Sequence, residues 1–177
     1  MERTVGKCKS DIFEDVSIFF PTFSEDIRGR IWTTWNKELY PDLNFKHDKF
    51  SSSSKFVLRG LHGDDKTWKL ISCVFGAFYL VYVDNRKDSD TFLRWEGLVL
   101  SDENHIQVLI PPNFANGHLV LSDRSVFHYK LAYEGDYNDV ENQFVIKWND
   151  PRLHIEWPVI FEDDILFTNP ILYGRDK

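Results

Sequence analysis

Hydrophobic and polar residues alternate along much of the chain, which is the pattern of half-buried β-strands. The alternation is clearest in six segments: Lys69–Phe75, Phe78–Val83, Leu98–Leu100, His105–Ile110, Leu119–Leu121 and Val126–Tyr133. Turn-forming residues separate them, as in Gly63-Asp64-Asp65 and Pro111-Pro112-Asn113. Short strands at intervals of about 8–12 residues are typical of a sandwich or a closed barrel. The pattern therefore predicts an all-β fold, and a double-sheet jelly roll suits the number of strands.

Little of the sequence has helical periodicity. Short helices are expected near Lys37-Glu38-Leu39-Tyr40 and at the acidic C-terminal end. The tract Ser51-Ser52-Ser53-Ser54 has a biased composition, and we expect it to be a loop. No linker or internal repeat divides the sequence, so we predict one domain over residues 1–177.

Composition and charge narrow the class of protein. The chain has 177 residues, of which 42% are hydrophobic, enough to bury a proper core. Its net charge of −7, without a block of basic residues, argues against a nucleic-acid partner. Cys8 and Cys73 are too few for a disulfide framework, and Cys73 is expected in the core. The N-terminus lacks the apolar stretch of a signal peptide, and the longest apolar run, Ala77–Val83, is far shorter than a membrane helix. We expect a soluble cytoplasmic protein without a membrane partner.

The segment from Val57 to Gly63 is rich in residues that can carry chemistry. In a regular strand, Arg59 and Leu61 would lie on the face opposite Gly60 and His62. A glycine inside a strand often marks close approach of a backbone or a ligand. Two interpretations remain open from spacing alone: the start of a hairpin with a surface arginine, or the polar wall of a pocket.

The histidines do not have the spacing of a metal site. They are His47, His62, His105, His118, His128 and His154. None forms a His-x-His pair, so we expect no metal.

Acid–base chemistry without a metal remains possible. Histidine can remove a proton beside a ketone, lysine can stabilise the enolate oxygen, and tyrosine can return a proton. His62, Lys69 and Tyr129 lie on predicted strands and are the candidates, although core packing would also explain Tyr129.

A series of motifs resembles the dTDP-4-dehydrorhamnose 3,5-epimerase family. Val57-Leu58-Arg59-Gly60-Leu61-His62 is similar to the family's VLRGLH signature. Further similarities follow in order from about residue 16 to residue 158: Asp26-Ile27-Arg28-Gly29 to DxRG, Ser51-x-Ser53 to NxSxS, Lys69-Leu70 to KL, Val83-Asp84-Asn85-Arg86 to VDxR, Trp95-x-Gly97 to WxG, and Leu109–Gly117 to IPxGFAHG. One such motif would be weak evidence, whereas this many in order is strong evidence of membership.

The resemblance implies a cupin-type jelly roll with a few short helices, in a dimer that exchanges N-terminal strands and uses no metal or organic cofactor. Members epimerise C3 and C5 of nucleotide-linked 4-keto-6-deoxy sugars. By position, His62 would be the base, Lys69 would steady the enolate, and Tyr129 would donate the proton from the opposite face. The sugar nucleotide would be held by Arg59, Ser51 and, from the partner subunit, Arg28.

Several pocket positions depart from the family pattern. Asn116 replaces the histidine of AHGF, while His47 and Lys49 replace the glutamine and asparagine ahead of NxSxS. Lys49 adds charge near the expected diphosphate, although it could equally be a solvated loop lysine. The second tyrosine shifts to Tyr137, and Leu80 and Thr33 replace two acidic residues.

The largest departure concerns the family's LSxKD motif, whose aspartate orients the base histidine. No aspartate falls in register when that motif is aligned with residues 165–170. Asn169, Asp163 and Asp164 remain open as substitutes.

We therefore expect an epimerase that inverts C3, C5 or both in a nucleotide-diphosphate 4-keto sugar, in surface-polysaccharide or deoxysugar biosynthesis. The departures point to a non-standard nucleotide or sugar. A non-catalytic sugar-nucleotide binding protein and a 4-ketosugar isomerase are the alternatives on the same scaffold.

Overall fold

The computed structural model describes residues 6–162, 165–167 and 169–177. Its strands, in chain order, are β1 (Gly6–Lys9), β2 (Ser17–Phe20), β3 (Phe23–Asp26), β4 (Gly29–Trp32), β5 (Phe45–Ser54), β6 (Leu58–Gly63), β7 (Trp68–Phe75), β8 (Ala77–Asp84), β9 (Trp95–Ser101), β10 (Gln107–Ile110), β11 (Phe114–Val120), β12 (Arg124–Ala132), β13 (Phe144–Val145), β14 (Ile160–Glu162) and β15 (Ile165–Phe167). Three short 3₁₀ helices cover Lys37–Leu39, Val140–Asn142 and Gly174–Asp176.

The strands form two main antiparallel sheets. One has the order β1-β2-β10-β7-β12-β5, and the other has the order β13-β6-β11-β8-β9. Two further pairs, β3–β4 and β14–β15, form small separate sheets. This arrangement confirms the predicted all-β double-sheet fold.

The core lies between the two main sheets. Buried side chains of β7, β10 and β12 pack against those of β8, β9 and β11 in one hydrophobic cluster. Cys73 is 2% exposed in this cluster, which confirms its predicted place in the core. Leu80 is fully buried there. The apolar surroundings explain why a leucine suits that position in this chain.

The serine tract is part of a strand and not the loop that its composition predicts. Ser51–Ser54 end β5, which pairs with β12 along its whole length. β5 is at the edge of its sheet, where one face meets solvent and little hydrophobicity is needed. The hydroxyl oxygens accept hydrogen bonds from arginines, with Arg59 Nε 2.9 Å from Ser53 Oγ and Arg124 Nε 2.8 Å from Ser52 Oγ. Lys49 lies on the same strand and is therefore not a loop lysine.

The alternation predicted for residues 59–62 is interrupted by a bulge in β6. Opposite it on β11, Asn116 pairs with His62 and His118 pairs with Arg59, so Gly60 and Leu61 together face Gly117. Gly60 has a φ of +115°, and a Cβ there would lie 2.4 Å from the Cα of Gly117. Arg59 and His62 consequently reach the same side of the sheet.

Short helices were expected near Lys37 and at the C-terminal end, where the structure has Lys37–Leu39 and Gly174–Asp176, whereas Val140–Asn142 was not expected. The Asn36 side chain caps Lys37–Leu39 by accepting a hydrogen bond from the amide of Glu38. Gly174–Asp176 ends the chain beside β6, where the Gly60 amide donates to Asp176 Oδ1 over 3.3 Å. Among the described residues, no helix is long and apolar enough to cross a membrane.

Candidate active site

A cavity of about 570 Å³ opens between the two sheets, in the size range of small-molecule sites. Both main sheets and two later segments contribute to its wall. The polar and aromatic residues that line it include Lys49 and Ser51 of β5, Arg59 and His62 of β6, Lys69 of β7, Asn116 and His118 of β11, Phe127 and Tyr129 of β12, Tyr137 and Gln143 of the following segment, and Arg175 and Asp176 of the C-terminal helix. Most of the site residues predicted from the sequence therefore line this cavity.

His62 lies between a carboxylate and a guanidinium of the C-terminal helix, those of Asp176 and Arg175. Its Nε2 is 2.8 Å from Asp176 Oδ1, and its Nδ1 is 3.0 Å from a guanidinium nitrogen of Arg175. Burial lowers the pKa of His62 to about 4, with a further decrease from the Arg175 cation and an opposing effect from Asp176. The imidazole is therefore neutral at pH 7.

Asp176 is the carboxylate that our alignment failed to find. Asp163 and Asp164 lie outside the described residues, and Asn169 lines a separate apolar cavity with Trp148 and Trp157. The sequence left Asn169, Asp163 and Asp164 open as substitutes for the orienting residue, whereas the carboxylate in contact with His62 is that of Asp176. The signal was present in the sequence, since Leu172-x-x-Arg175-Asp176 has the spacing of LSxKD with arginine in place of lysine. The alignment with Ile165-Leu166 was several residues too early.

Lys69 lies half-buried next to the histidine. Its Nζ donates hydrogen bonds to the His62 carbonyl oxygen over 3.0 Å and to Asn116 Oδ1 over 2.8 Å. Burial lowers the pKa of Lys69 to about 8, against the opposing effect of the Asp64 carboxylate. Asn116 thus uses its side-chain oxygen to hold the lysine within the cavity.

Tyr129 reaches the cavity from the other sheet. It lies on β12 of the six-stranded sheet, whereas His62 lies on β6 of the five-stranded sheet. Burial raises the pKa of Tyr129, so its hydroxyl keeps its proton near neutral pH. A ligand between the sheets would have the imidazole on one side and the phenol on the other.

Two further predicted residues, Lys49 and Tyr137, form a pair at the cavity wall. Lys49 Nζ donates a hydrogen bond to the Tyr137 hydroxyl over 2.8 Å and lies over the Tyr137 ring. Arg59 and Ser51 also line the cavity. Four cations, Lys49, Arg59, Lys69 and Arg175, therefore give the cavity the positive charge that an anionic ligand requires.

The structure does not bring His47 and Arg28 into the cavity wall. His47 accepts or donates a hydrogen bond at the Tyr133 hydroxyl over 2.9 Å, and its ring packs behind Tyr137. Arg28 lies at the turn between β3 and β4, where its side chain is 85% exposed and paired with Asp26. His47 can influence a ligand through Tyr137, and Arg28 can do so only from a neighbouring chain or after a change in the hairpin.

The donor set of the cavity does not suit a metal ion. In residues 6–162, 165–167 and 169–177, no three side chains of the histidine, cysteine, aspartate and glutamate types group together as metal ligands would. The groups nearest His62 are instead a lysine, an arginine and a single carboxylate.

Comparison with known proteins gives a consistent result. The family model for dTDP-4-dehydrorhamnose 3,5-epimerase matches residues 11–177. A dTDP-4-dehydrorhamnose 3,5-epimerase of Escherichia coli (strain K12) is 40% identical over 153 residues, which covers 82% of this chain and 81% of that protein.

Solved structures agree with these matches. The dTDP-6-deoxy-D-glucose-3,5-epimerase of Legionella pneumophila Philadelphia 1, in complex with dTDP-4-keto-L-rhamnose, superposes with a TM-score of 0.86 at 34% identity and covers 98% of this chain and 90% of its own. A 3'-monoepimerase of Streptomyces bikiniensis, in complex with dTDP-quinovose, has a TM-score of 0.82 at 28% identity and covers 95% of this chain and 83% of its own. The similarity therefore extends over nearly the whole chain.

Proposed function

The chain belongs to the dTDP-4-dehydrorhamnose 3,5-epimerase family, and from this membership we propose how its cavity works. It inverts one or both carbon centres beside the ketone of a nucleotide-linked 4-keto sugar. The reaction serves deoxysugar biosynthesis and needs only the acid–base groups of the chain. The observation that carries the proposal is the placement of His62 and Tyr129 on opposing sheets, with Lys69 beside the histidine.

His62 begins the reaction by removing the proton from the carbon next to the ketone. The electrons of the broken C–H bond form the C=C bond of an enolate, and negative charge develops on the former ketone oxygen. The Lys69 ammonium stabilises that oxygen, in a site dry enough for the charge interaction to be strong. The hydrogen bonds of Lys69 to the His62 carbonyl oxygen and to Asn116 support this role, because they hold the ammonium beside the base.

Tyr129 completes the inversion from the other side. Its hydroxyl gives its proton to the same carbon on the opposite face, and the enolate returns to a ketone. The tyrosinate then takes a proton from water, and the His62 imidazolium releases one to water. Each inversion therefore exchanges one carbon-bound hydrogen for a solvent hydrogen.

The charge of the cavity supports a nucleoside diphosphate as the carrier of the sugar. Lys49, Arg59 and Arg175 are cations at its wall, and arginine and lysine both bind phosphate oxygens. The Legionella relative binds a dTDP-linked sugar, so a dTDP sugar is the first substrate to test. Asn116 and Tyr137 depart from the family motifs, which makes GDP-linked and non-6-deoxy sugars the next candidates.

The proposal includes a homodimer in the cytoplasm. The β3–β4 hairpin is a separate small sheet whose Ile27 and Ile31 are 104% and 74% exposed, so an exchange of N-terminal strands between subunits would bury them. Arg28 at the same turn would then reach the partner subunit's cavity. Cys8 and Cys73 are free thiols, as is typical of proteins in a reducing compartment.

Solvent deuterium exchange tests the function. The protein is incubated in heavy water with dTDP- and GDP-linked 4-keto sugars, and the mass of the sugar is followed. A gain of two deuterium atoms identifies a 3,5-epimerase and a gain of one a single-site enzyme. Because a positioned base contributes about 10²–10⁴ in rate, His62→Asn is expected to abolish the exchange on the same time scale.

The same experiment separates the alternatives. Binding of the sugar nucleotides without any exchange would overturn the proposal in favour of a binding protein. Exchange accompanied by a product whose ketone has moved would show an isomerase.

A further inference from the structure

Each ring nitrogen of His62 has a charged neighbour in the cavity, Arg175 at Nδ1 and Asp176 at Nε2. A guanidinium can only donate hydrogen bonds, so the contact of Arg175 with Nδ1 requires the lone pair of the imidazole to be on Nδ1. The single proton of the neutral ring is then on Nε2, which lies 2.8 Å from Asp176 Oδ1. A neutral imidazole has one lone pair, and here Arg175 occupies it. In this arrangement His62 cannot take a proton from carbon.

We propose that Arg175 is a positioning residue that caps the lone pair of His62 in the ligand-free protein and leaves it when an anionic substrate binds. The cap has two effects on the base. It fixes the tautomer with the proton on Nε2, and it keeps Nδ1 unprotonated, since an imidazolium could not accept a hydrogen bond from Arg175. The inference rests on the proposed function for the identity of the substrate, although the cap itself is a property of the free protein.

The other contacts of Arg175 allow it to be released. Its guanidinium donates to the Val140 carbonyl oxygen over 3.1 Å and to Gln143 Oε1 over 2.9 Å. These acceptors are neutral, whereas a diphosphate is an anion that a guanidinium can bind through two parallel hydrogen bonds. Arg175 is exposed on a three-residue helix that belongs to neither main sheet, so it can turn towards a ligand without disturbing the strand pairing.

The charged groups that face His62 determine whether its pKa rises or falls when Arg175 is removed. Lys69 of β7 and Arg175 favour the neutral ring, whereas Asp176 favours the charged one. On β11, His118 is buried with a lowered pKa and Asn116 is neutral at any pH. Removal of Arg175 leaves burial and Lys69 to oppose the carboxylate, and the loss of one lowering influence is expected to raise the pKa of His62.

Chemical modification of the free protein tests the cap directly. Diethyl pyrocarbonate reacts with the unprotonated lone pair of histidine, and peptide mass spectrometry assigns the reaction to His62 among the other histidines. We expect His62 of Arg175→Ala to react several-fold faster than in the unaltered protein at neutral pH. The pH dependence of its reaction is also expected to show a higher pKa. Arg152→Ala, which removes an exposed arginine paired with Asp150, is the matched control and should change neither quantity.

The two readouts distinguish a cap from a general effect on the cavity. A variant that only opened the site would raise the rate at every pH but leave the pKa of His62 unchanged, and that result would overturn the proposal. Equal rates in the two proteins would also overturn it. Arg175→Lys keeps the charge and provides a second variant if alanine prevents folding, with an expected pKa closer to that of the unaltered protein. Because the measurement needs no substrate, its outcome is independent of whether the protein exchanges deuterium.

Discussion

At the scale of single residues, the site depends on how the protein tunes three ordinary side chains. His62 is kept neutral by burial and by a neighbouring cation, Lys69 is brought near its neutral form, and Tyr129 is kept protonated. For His62 and Tyr129 the shift favours the protonation state that the proposed step needs at the start, whereas Lys69, with a pKa of about 8, still keeps most of its charge at pH 7. The shifts have different physical partners, so they can be tested separately.

Asp176→Asn should weaken the base. The carboxylate raises the pKa of His62 against the effects of burial and Arg175, so its loss lowers that pKa further. We expect a decrease in kcat of about 10²–10⁴, comparable with the loss of an acid–base group, and an acid limb of kcat/KM at lower pH. The measurement is the pH–rate profile with the substrate that shows deuterium exchange.

Asp123→Asn is the control for this substitution, because its side chain is 94% exposed. It should leave the profile unchanged. An Asp176→Asn variant with normal kcat would show that the carboxylate does not support His62.

The lowered pKa of Lys69 predicts that activity decreases at alkaline pH. Its folded pKa of about 8 means that the ammonium is lost as pH rises through 8, and with it the charge that stabilises the enolate. We therefore expect kcat/KM to decrease above about pH 8, well before Tyr129 loses its proton. Asp64 raises the pKa of Lys69, so Asp64→Asn should move this limb to lower pH. A profile that stays flat to pH 10 would contradict a role for the lysine charge.

The structure brings together the three residues at which residue type and motif coincide. His62, Lys69 and Tyr129 all line one cavity, and their catalytic roles stay predictions. Asp176 was missed because hydrophobic pairs recur near the end of the chain and the wrong one was aligned. Its role depends on the end of the chain folding back against β6, which local sequence cannot show.

At the scale of elements, the bulge in β6 decides which residues can act together. Regular alternation would send Arg59 and His62 to opposite faces, but the extra residue opposite Gly117 returns them to the same one. Such a bulge requires close approach of Gly60 and Gly117, which are 57 positions apart in the sequence. The strand was therefore predictable from its pattern, whereas its local irregularity was not.

Gly60→Ala tests this arrangement. A φ of +115° is strained for alanine, at a cost of order 1–3 kcal/mol, and the added Cβ would also collide with the backbone of Gly117. We expect a clear decrease in the thermal unfolding midpoint and a loss of turnover, because Arg59 and His62 are displaced together.

Gly29→Ala provides the matched control, since Gly29 has a φ of +118° but nothing within 4 Å of a Cβ. It carries only the backbone strain and should lower the unfolding midpoint less. Equal effects of the two substitutions would mean that the contact with Gly117 is unimportant.

The serine-rich strand β5 shows that the composition of a segment can fail to predict a strand. β5 has few apolar residues, yet its hydrogen bonds with β12 and the arginine contacts of Ser52 and Ser53 hold it in the sheet. An edge strand takes its stability from its neighbour, so the sequence of the strand alone understates it. The central strands β7 and β8 were predicted closely because both of their sides are buried.

At the scale of the whole molecule, the two sheets have separate chemical tasks. The five-stranded sheet provides the proposed base and the six-stranded sheet provides the proposed acid, so the space between them receives the sugar. The alternating pattern of the sequence predicted both sheets. It did not predict β1 to β4, which have four residues each and are too short to show the alternation; of these, the β3–β4 pair is the one proposed to contact another chain.

The β3–β4 hairpin leads to the last prediction, which concerns the oligomeric state. An isolated two-stranded hairpin is marginally stable in water, and exposed Ile27 and Ile31 add an apolar surface that a partner chain would cover. We expect light scattering at micromolar concentration to give twice the chain mass of 21.0 kDa. The double variant Ile27→Ser, Ile31→Ser should move the mass towards that of one chain.

Arg28→Ala should leave the dimer intact and raise KM, because the proposed contribution of Arg28 is to bind the nucleotide across the interface. A single-chain mass for the unaltered protein would exclude strand exchange and would leave Arg28 paired only with Asp26, away from any substrate.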